Sequence, residues 1–132
     1  MKNDVFLKEH NPELYRVARE RATEPAFSGD LLHNKEDGTY RCAVCDSELF
    51  SSDAKYDSGS GWPSFSELVS NDAVTLSTDN SHGMIRTEVS CASCGAHLGH
   101  VFDDGPGELG QRFCINSVSL SFDDTSNKKQ NE

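Results

Sequence analysis

Apolar positions fall into short runs with two different periods. Leu14, Val17 and Ala18 share one side of a 3.6-residue repeat, with Tyr15 beside them. Asn11 before Pro12 supplies a cap and a favoured first-turn residue, so the pattern predicts a helix beginning there. Pro25 and Gly29 then close the region, and "ATEPAFSGDLL" reads as an extended wrap around the domain. Beyond it the period drops to two. "KEDGTYRC" turns at Asp37-Gly38 and enters a short strand through Tyr40, and "CAVCDSELF" reads as a tight knuckle followed by another strand. Val74 and Leu76 alternate with polar neighbours. Met84, Arg86, Glu88 and Ser90 alternate with Ile85, Thr87 and Val89, the pattern of a half-buried strand. Leu98 and Val101 predict a further strand running into the acidic turn "DDGPGELG". Phe113, Ile115, Val118, Leu120 and Phe122 form the last apolar series. Its period breaks between Ile115 and Val118, which predicts a bulge or turn near Asn116 and Ser117. "DSGSGWPSF", with Gly59, Gly61 and Pro63, reads as loop.

Many short strands with long connections indicate a mostly β, mostly antiparallel domain. A chain of 132 residues favours one domain, assigned to residues 1–123, with residues 124–132 at the end of "DDTSNKKQNE" giving a flexible acidic and polar tail. The net charge of −10, from 12 basic and 22 acidic side chains, argues against nucleic acid or an anionic membrane as partner. No apolar stretch has transmembrane length, and "MKNDVFLKEHNPEL" has no signal-peptide core. Five cysteines, an odd number, suit a reducing cytoplasm.

Four of those cysteines form matched pairs. "CAVC" places Cys42 and Cys45, and "CASC" places Cys91 and Cys94, each with two residues between sulfurs. Two such pairs complete a tetrahedral thiolate shell for one Zn2+. Cys91, Cys94, His97 and His100 in "CASCGAHLGH" form a rival set. Its gaps are too short for the usual finger spacing, and it leaves Cys42 and Cys45 without a partner pair. A shell of four thiolates has no open position, so the metal is structural and any chemistry belongs elsewhere.

Cys114 stands apart. Arg112 lies two residues away on the same strand face, with Phe113 and Ile115 opposite and Asn116 next on the Cys114 side. A neighbouring cation lowers a thiol pKa, which suits a nucleophile; an isolated cysteine is equally a small buried hydrophobe. His97 and His100 are candidate proton donors, or else surface groups or supports near the metal. Trp62, the single tryptophan, is a candidate wall for a small apolar ligand group, or a core plug.

The pieces "RERATEPAFSG", "GTYRCAVCDSELF", "YDSGSGWPSF", "CASCGAHLGHVFDDGPG" and "QRFCINSVSLSF" together resemble the zinc-containing family of peptide-methionine (R)-S-oxide reductases, from about Pro12 through Phe122. The resemblance implies two antiparallel β-sheets with short N-terminal helices, stapled by a structural zinc on Cys42, Cys45, Cys91 and Cys94. It implies Cys114 as the nucleophile, with catalytic His97, His100 and Asn116. It places Trp62 against the substrate methyl and carries Arg112, Phe113 and Asp104 over as substrate-binding positions. The implied reaction takes the R epimer of methionine sulfoxide, in oxidised protein or peptide or as the free amino acid, to methionine through a sulfenic acid on Cys114. Many relatives carry a resolving cysteine where this chain has Ser60. The implied reductant, whether thioredoxin, glutaredoxin or a small thiol, therefore acts directly on the sulfenic acid. The competing expectation is a zinc-stabilised binding module without chemistry, in which Cys114 is inert.

Overall fold

Asn11 ends one helix and caps the next. In the computed structural model, which describes residues 2–106 and 110–124, α1 spans Asp4–His10 and α2 spans Pro12–Glu20. The Asn11 side chain accepts the Leu14 N–H at 3.2 Å, while its backbone N–H donates to the Leu7 carbonyl. Leu14, Val17 and Ala18 are the buried residues of α2, as its periodicity predicts. The apolar pattern does not reveal α1. Only Leu7 in it is buried, and its start depends on Asn3 accepting the Phe6 N–H at 2.8 Å. After α2 the chain turns through Arg21 in the left-handed region (φ 60°). No helix among the described residues is long and apolar enough to cross a membrane.

Nine strands follow among the described residues: β1 Gly38–Cys42, β2 Glu48–Ser51, β3 Lys55–Tyr56, β4 Ser64–Phe65, β5 Val74–Asp79, β6 Arg86–Cys91, β7 His97–Phe102, β8 Arg112–Ile115 and β9 Leu120–Asp124. They build two antiparallel sheets, one of three strands in the order β2-β1-β9 and one of six in the order β3-β4-β8-β7-β6-β5. The core between them is aromatic. Phe50 of β2 stacks on Phe65 of β4 at 4.1 Å between ring centroids, and Tyr40 of β1 meets Phe65 edge-on at 5.1 Å. Such stacked and edge-on pairs add to the stabilisation from burial itself.

Two details depart from the sequence pattern, and one, the turn after Ile115, follows it. Ser64 and Phe65, expected within a loop, are a strand that pairs with both β3 and β8. The broken period after Ile115 is a 3-10 turn, Ser117–Ser119, which carries the chain from the six-stranded sheet into the three-stranded one. In β6 the expected polar face is not solvated: Glu88 is buried, whereas Ile85, just before the strand, is 84% exposed. The tail expected at 124–132 lies outside the described residues except for Asp124, which pairs with Gly38 at the end of β9.

Candidate active site and metal centre

The two C-x2-C segments fold into the same knuckle. In the first, Cys42 N–H donates to Ser47 O and Asp46 N–H to Cys42 O, both at 2.8 Å. In the second, Cys91 N–H donates to Ala96 O at 2.9 Å and Gly95 N–H to Cys91 O at 2.8 Å. The residue after each second cysteine is left-handed, with Asp46 at φ 69° and Gly95 at φ 76°. That conformation suits glycine and is tolerated by aspartate, which explains the residue types there. One knuckle joins β1 to β2 and the other joins β6 to β7, so the four sulfurs meet between the two sheets.

All four ligand atoms lie within 4.8 Å of one another, with Cys42 and Cys94 Sγ 3.7 Å apart and Cys45 and Cys91 Sγ 3.5 Å apart. Zinc–thiolate bonds of about 2.3 Å in a tetrahedron require sulfur separations of about 3.8 Å, so the donor set fits one structural Zn2+. The thiols also compete for protons: contact with Cys91 pushes Cys42 well up, and the same contact pulls Cys91 down to about 4. A divalent cation relieves that conflict by taking all four as thiolates. His97 and His100 are engaged elsewhere, which removes the rival ligand set. Lys2 donates to Ala43 O and Arg19 to Cys94 O, both at 2.9 Å, tying the helical segment to each knuckle.

Cys114 sits mid-strand in β8. Alternation there buries Phe113 and Ile115 and leaves Arg112 and Cys114 partly exposed on the other face. That face opens on a cleft of about 220 Å3 lined by Cys114, Ser60, Trp62, His100, Asn116 and Arg112, with Thr23, Arg86, Gly99 and Phe102. Register places His100 of β7 directly opposite Cys114, and Ser64 of β4 opposite it on the other side. Ser60 Oγ lies 3.8 Å from Cys114 Sγ. Ser58 joins Ser60 (2.8 Å) and Ser64 (2.7 Å) in a hydroxyl chain that ends on the thiol. Burial pushes the Cys114 thiol up; the Ser60 hydrogen bond and the Arg112 charge pull it down, but not far enough. Arg112 thus acts in the expected direction, and burial outweighs it. The guanidinium is shared with Asp104, bonded through Nε at 2.8 Å and Nη2 at 3.3 Å, and lies 4.5 Å over the Phe102 ring.

His97 and His100 are three residues apart, which in a regular strand would place them on opposite faces. Leu98 is an extra residue opposite the Val89–Ser90 step, and this bulge turns both rings to one side, 5.4 Å apart. Of the two, His100 lines the cleft; His97 is 3% exposed behind it. Each is backed by a buried carboxylate, His97 Nδ1 by Glu88 Oε2 at 2.8 Å and His100 Nε2 by Asp79 Oδ2 at 2.7 Å. The His100 contact, with the Ser81 hydrogen bonds, holds Asp79 well below the usual carboxylate range. Burial pushes His97 below the usual imidazole value against the opposing pull of Glu88. Arg21 reaches both carboxylates, 2.8 Å from Glu88 and 3.6 Å from Asp79.

The remaining expected positions divide. Trp62 lines the cleft with its indole N–H on Glu24 O at 3.0 Å. Asn116, 3% exposed, accepts from Glu24 N–H and donates one amide hydrogen to Leu98 O, leaving the second. Phe113 does not reach the cleft: its ring is 1% exposed and packs in the core 5.8 Å from Phe50. Asp104 lies outside the cleft and bears on it only through Arg112. Arg21, Glu24, Asp79 and Glu88 are absent from the sequence-based site. They are single charged residues on different elements, and no spacing links them before the chain is folded.

The SelR domain family matches residues 10–124. Peptide methionine sulfoxide reductase MsrB of Methanosarcina mazei is 57% identical over 122 residues, covering 90% of this chain and 87% of the relative. The protein of the same name from Methanosarcina barkeri is 56% identical over 129 residues, covering 98% and 91%. That of Leptospira interrogans is 57% identical over 120 residues, covering 91% and 92%. The zinc-stapled pair of sheets and the thiol-bearing cleft thus lie within a stretch shared almost end to end with these enzymes, and the chain belongs to the SelR family of peptide methionine sulfoxide reductases.

Proposed function

We propose that the cleft reduces the R epimer of methionine sulfoxide, in peptides and proteins, to methionine through a sulfenic acid on Cys114. The observation that carries this reading is the convergence on one side of β8 of a partly exposed thiol, a carboxylate-backed histidine and an indole wall. Trp62 offers an apolar face for the sulfoxide methyl, and the epimer preference rests on the family resemblance. Cys114 sulfur attacks the sulfoxide sulfur as the sulfur–oxygen bond gives way, and oxygen passes to Cys114. The balance is one thiol plus one sulfoxide giving one sulfenic acid plus one thioether, so the proton carried by a thiol of raised pKa remains within the reaction.

His100 is the proton carrier for the sulfoxide oxygen. Asp79, held anionic, accepts from Nε2 and stabilises the imidazolium, leaving Nδ1 as the ring atom that exchanges a proton. His97, buried and biased toward its neutral form, supports His100. The zinc, when bound, supplies no chemistry here and holds the sheets that carry β7 and β8.

The second half of the cycle consumes two reductant thiols, which become a disulfide while Cys114 returns to the thiol with release of water. Ser60 stands beside Cys114 where a cysteine could otherwise form a disulfide, and the other four cysteines are gathered at the metal centre. Thioredoxin, glutaredoxin or a small thiol therefore meets the sulfenic acid directly, in a reducing cytoplasm. Dithiothreitol-driven turnover of both sulfoxide epimers tests the whole reading. R-specific turnover is expected, with Cys114→Ser below about 1% of wild type and zinc content unchanged. Equal rates for both epimers, or full activity of Cys114→Ser, would sink it. Dimedone trapping after one turnover without reductant should label Cys114, and an internal disulfide instead would overturn the direct-reduction step.

A further inference from the structure

Glu24 lies in the wrap after α2, outside every strand and outside the cleft lining, yet it is only 5% exposed. Three of its groups each hold a different part of the site. Its backbone carbonyl accepts the Trp62 indole N–H at 3.0 Å, and its backbone N–H donates to Asn116 Oδ1 at 3.0 Å. Its carboxylate Oε1 accepts the Val118 N–H at 2.9 Å. Val118 sits in the 3-10 turn between β8 and β9, where early N–H groups lack a partner within the turn. A carboxylate reaching in from the wrap satisfies that donor and fastens the wrap to the turn.

The neighbourhood is pressed together closely. Leu31 N–H donates to Ser117 Oγ at 2.9 Å, a second fastening on the same turn. A Cβ at Gly29 would lie 2.2 Å from the Ser117 Cβ and 2.6 Å from Glu24 Oε2, so the wrap reaches this depth only with glycine there. The position of the Glu24 peptide groups is thus set by its side chain on one side and by Gly29 on the other.

We infer that Glu24 is a positioning residue: its carboxylate locks the wrap onto the 117–119 turn, and through its two peptide groups this lock sets the orientation of the Trp62 indole and the Asn116 amide. The attachment stands on geometry alone, and its consequence for turnover rests on the cleft being the methionine sulfoxide site. Glu24→Asp shortens the reach by one methylene while keeping charge. Glu24→Gln keeps an oxygen for Val118 N–H while losing charge. Gly29→Ala displaces the wrap without altering Glu24.

The test uses the zinc-loaded full chain and reads the fluorescence of its single tryptophan, Trp62. Glu24→Asp and Gly29→Ala are expected to red-shift the emission and increase acrylamide quenching, with zinc content and circular dichroism retained. KM for a sulfoxide peptide is expected to rise about tenfold, with a smaller loss in kcat. Glu24→Gln is expected to stay near wild type in both readouts. Wild-type emission, quenching and KM in Glu24→Asp would overturn the inference, as would equal perturbation by Glu24→Gln. Should one of the two disrupting variants fail to fold, the other decides in the same way. If the wild type turned over no sulfoxide, the reading of the cleft would fail, but the emission comparison would still decide the attachment.

Discussion

At Cys114 two opposing influences can be separated. Burial raises the thiol pKa, while the Ser60 hydroxyl and the Arg112 guanidinium lower it. Removing either polar neighbour should therefore raise it further. Alkylation of Cys114 by iodoacetamide at pH 8, followed by mass spectrometry with zinc saturating, is expected to slow in Ser60→Ala and in Arg112→Met. Faster alkylation in both would mean that these neighbours hold the proton on rather than draw it off. Asp104→Asn should have the opposite tendency, because it frees the guanidinium from the carboxylate that now shares it. The sequence shows that Arg112 and Cys114 share a face, since alternation is local. It does not show that burial outweighs the charge, since burial depends on Trp62 and Ser60 arriving from a loop some fifty residues earlier.

At the scale of elements, the bulge at Leu98 decides the histidine pair. Without it β7 would send His97 and His100 to opposite faces, and only one could share a face with Cys114. With it both rings meet the buried carboxylates of Glu88 and Asp79, which pair in turn with the half-exposed Arg21 and with Arg86. Burial lowers the His97 pKa, so the folded chain binds a proton there less readily than the unfolded chain does. Its contribution to stability is fully present above the unfolded value of about 6.5 and declines as pH falls below it toward the folded value. Urea unfolding with zinc saturating should show stability falling as pH drops below about 6.5, with a shallower fall in His97→Gln. An identical slope in the variant would remove His97 as the cause. The element itself was legible: Leu98 and Val101 mark β7. The bulge was not, because a one-residue slip in pairing leaves no mark in composition. α2 was legible for the opposite reason, since its cap and apolar stripe are contiguous, whereas two-residue β4 carries too short a pattern to register.

For the whole molecule, the metal centre is the joint between the sheets. Each knuckle belongs to a different sheet, and the aromatic layer of Phe50, Phe65 and Tyr40 fills the space between them. Zinc binding in such sites contributes on the order of 10 kcal/mol to folding at neutral pH. One zinc per chain is expected by metal analysis. Chelation, or Cys42→Ser, should abolish cooperative thermal unfolding, whereas Cys114→Ser should leave it unchanged. Retention of a sharp transition after complete metal removal would show that the aromatic layer alone joins the sheets.

What the amino-acid order determined by itself is whatever short-range chemistry can encode. The paired C-x2-C knuckles and their metal, the helix cap at Asn11, the alternating faces around Cys114 and the family likeness all depend on residues a few positions apart. Tertiary structure alone decided which groups surround the thiol. It chose His100 over His97 for the cleft wall and brought Glu24, Asp79, Glu88 and Arg21 behind the site. The reason is physical: a carboxylate gains an orienting role only when burial removes competing water and fixes its partner, and those partners come from distant strands that meet only after the sheets have formed.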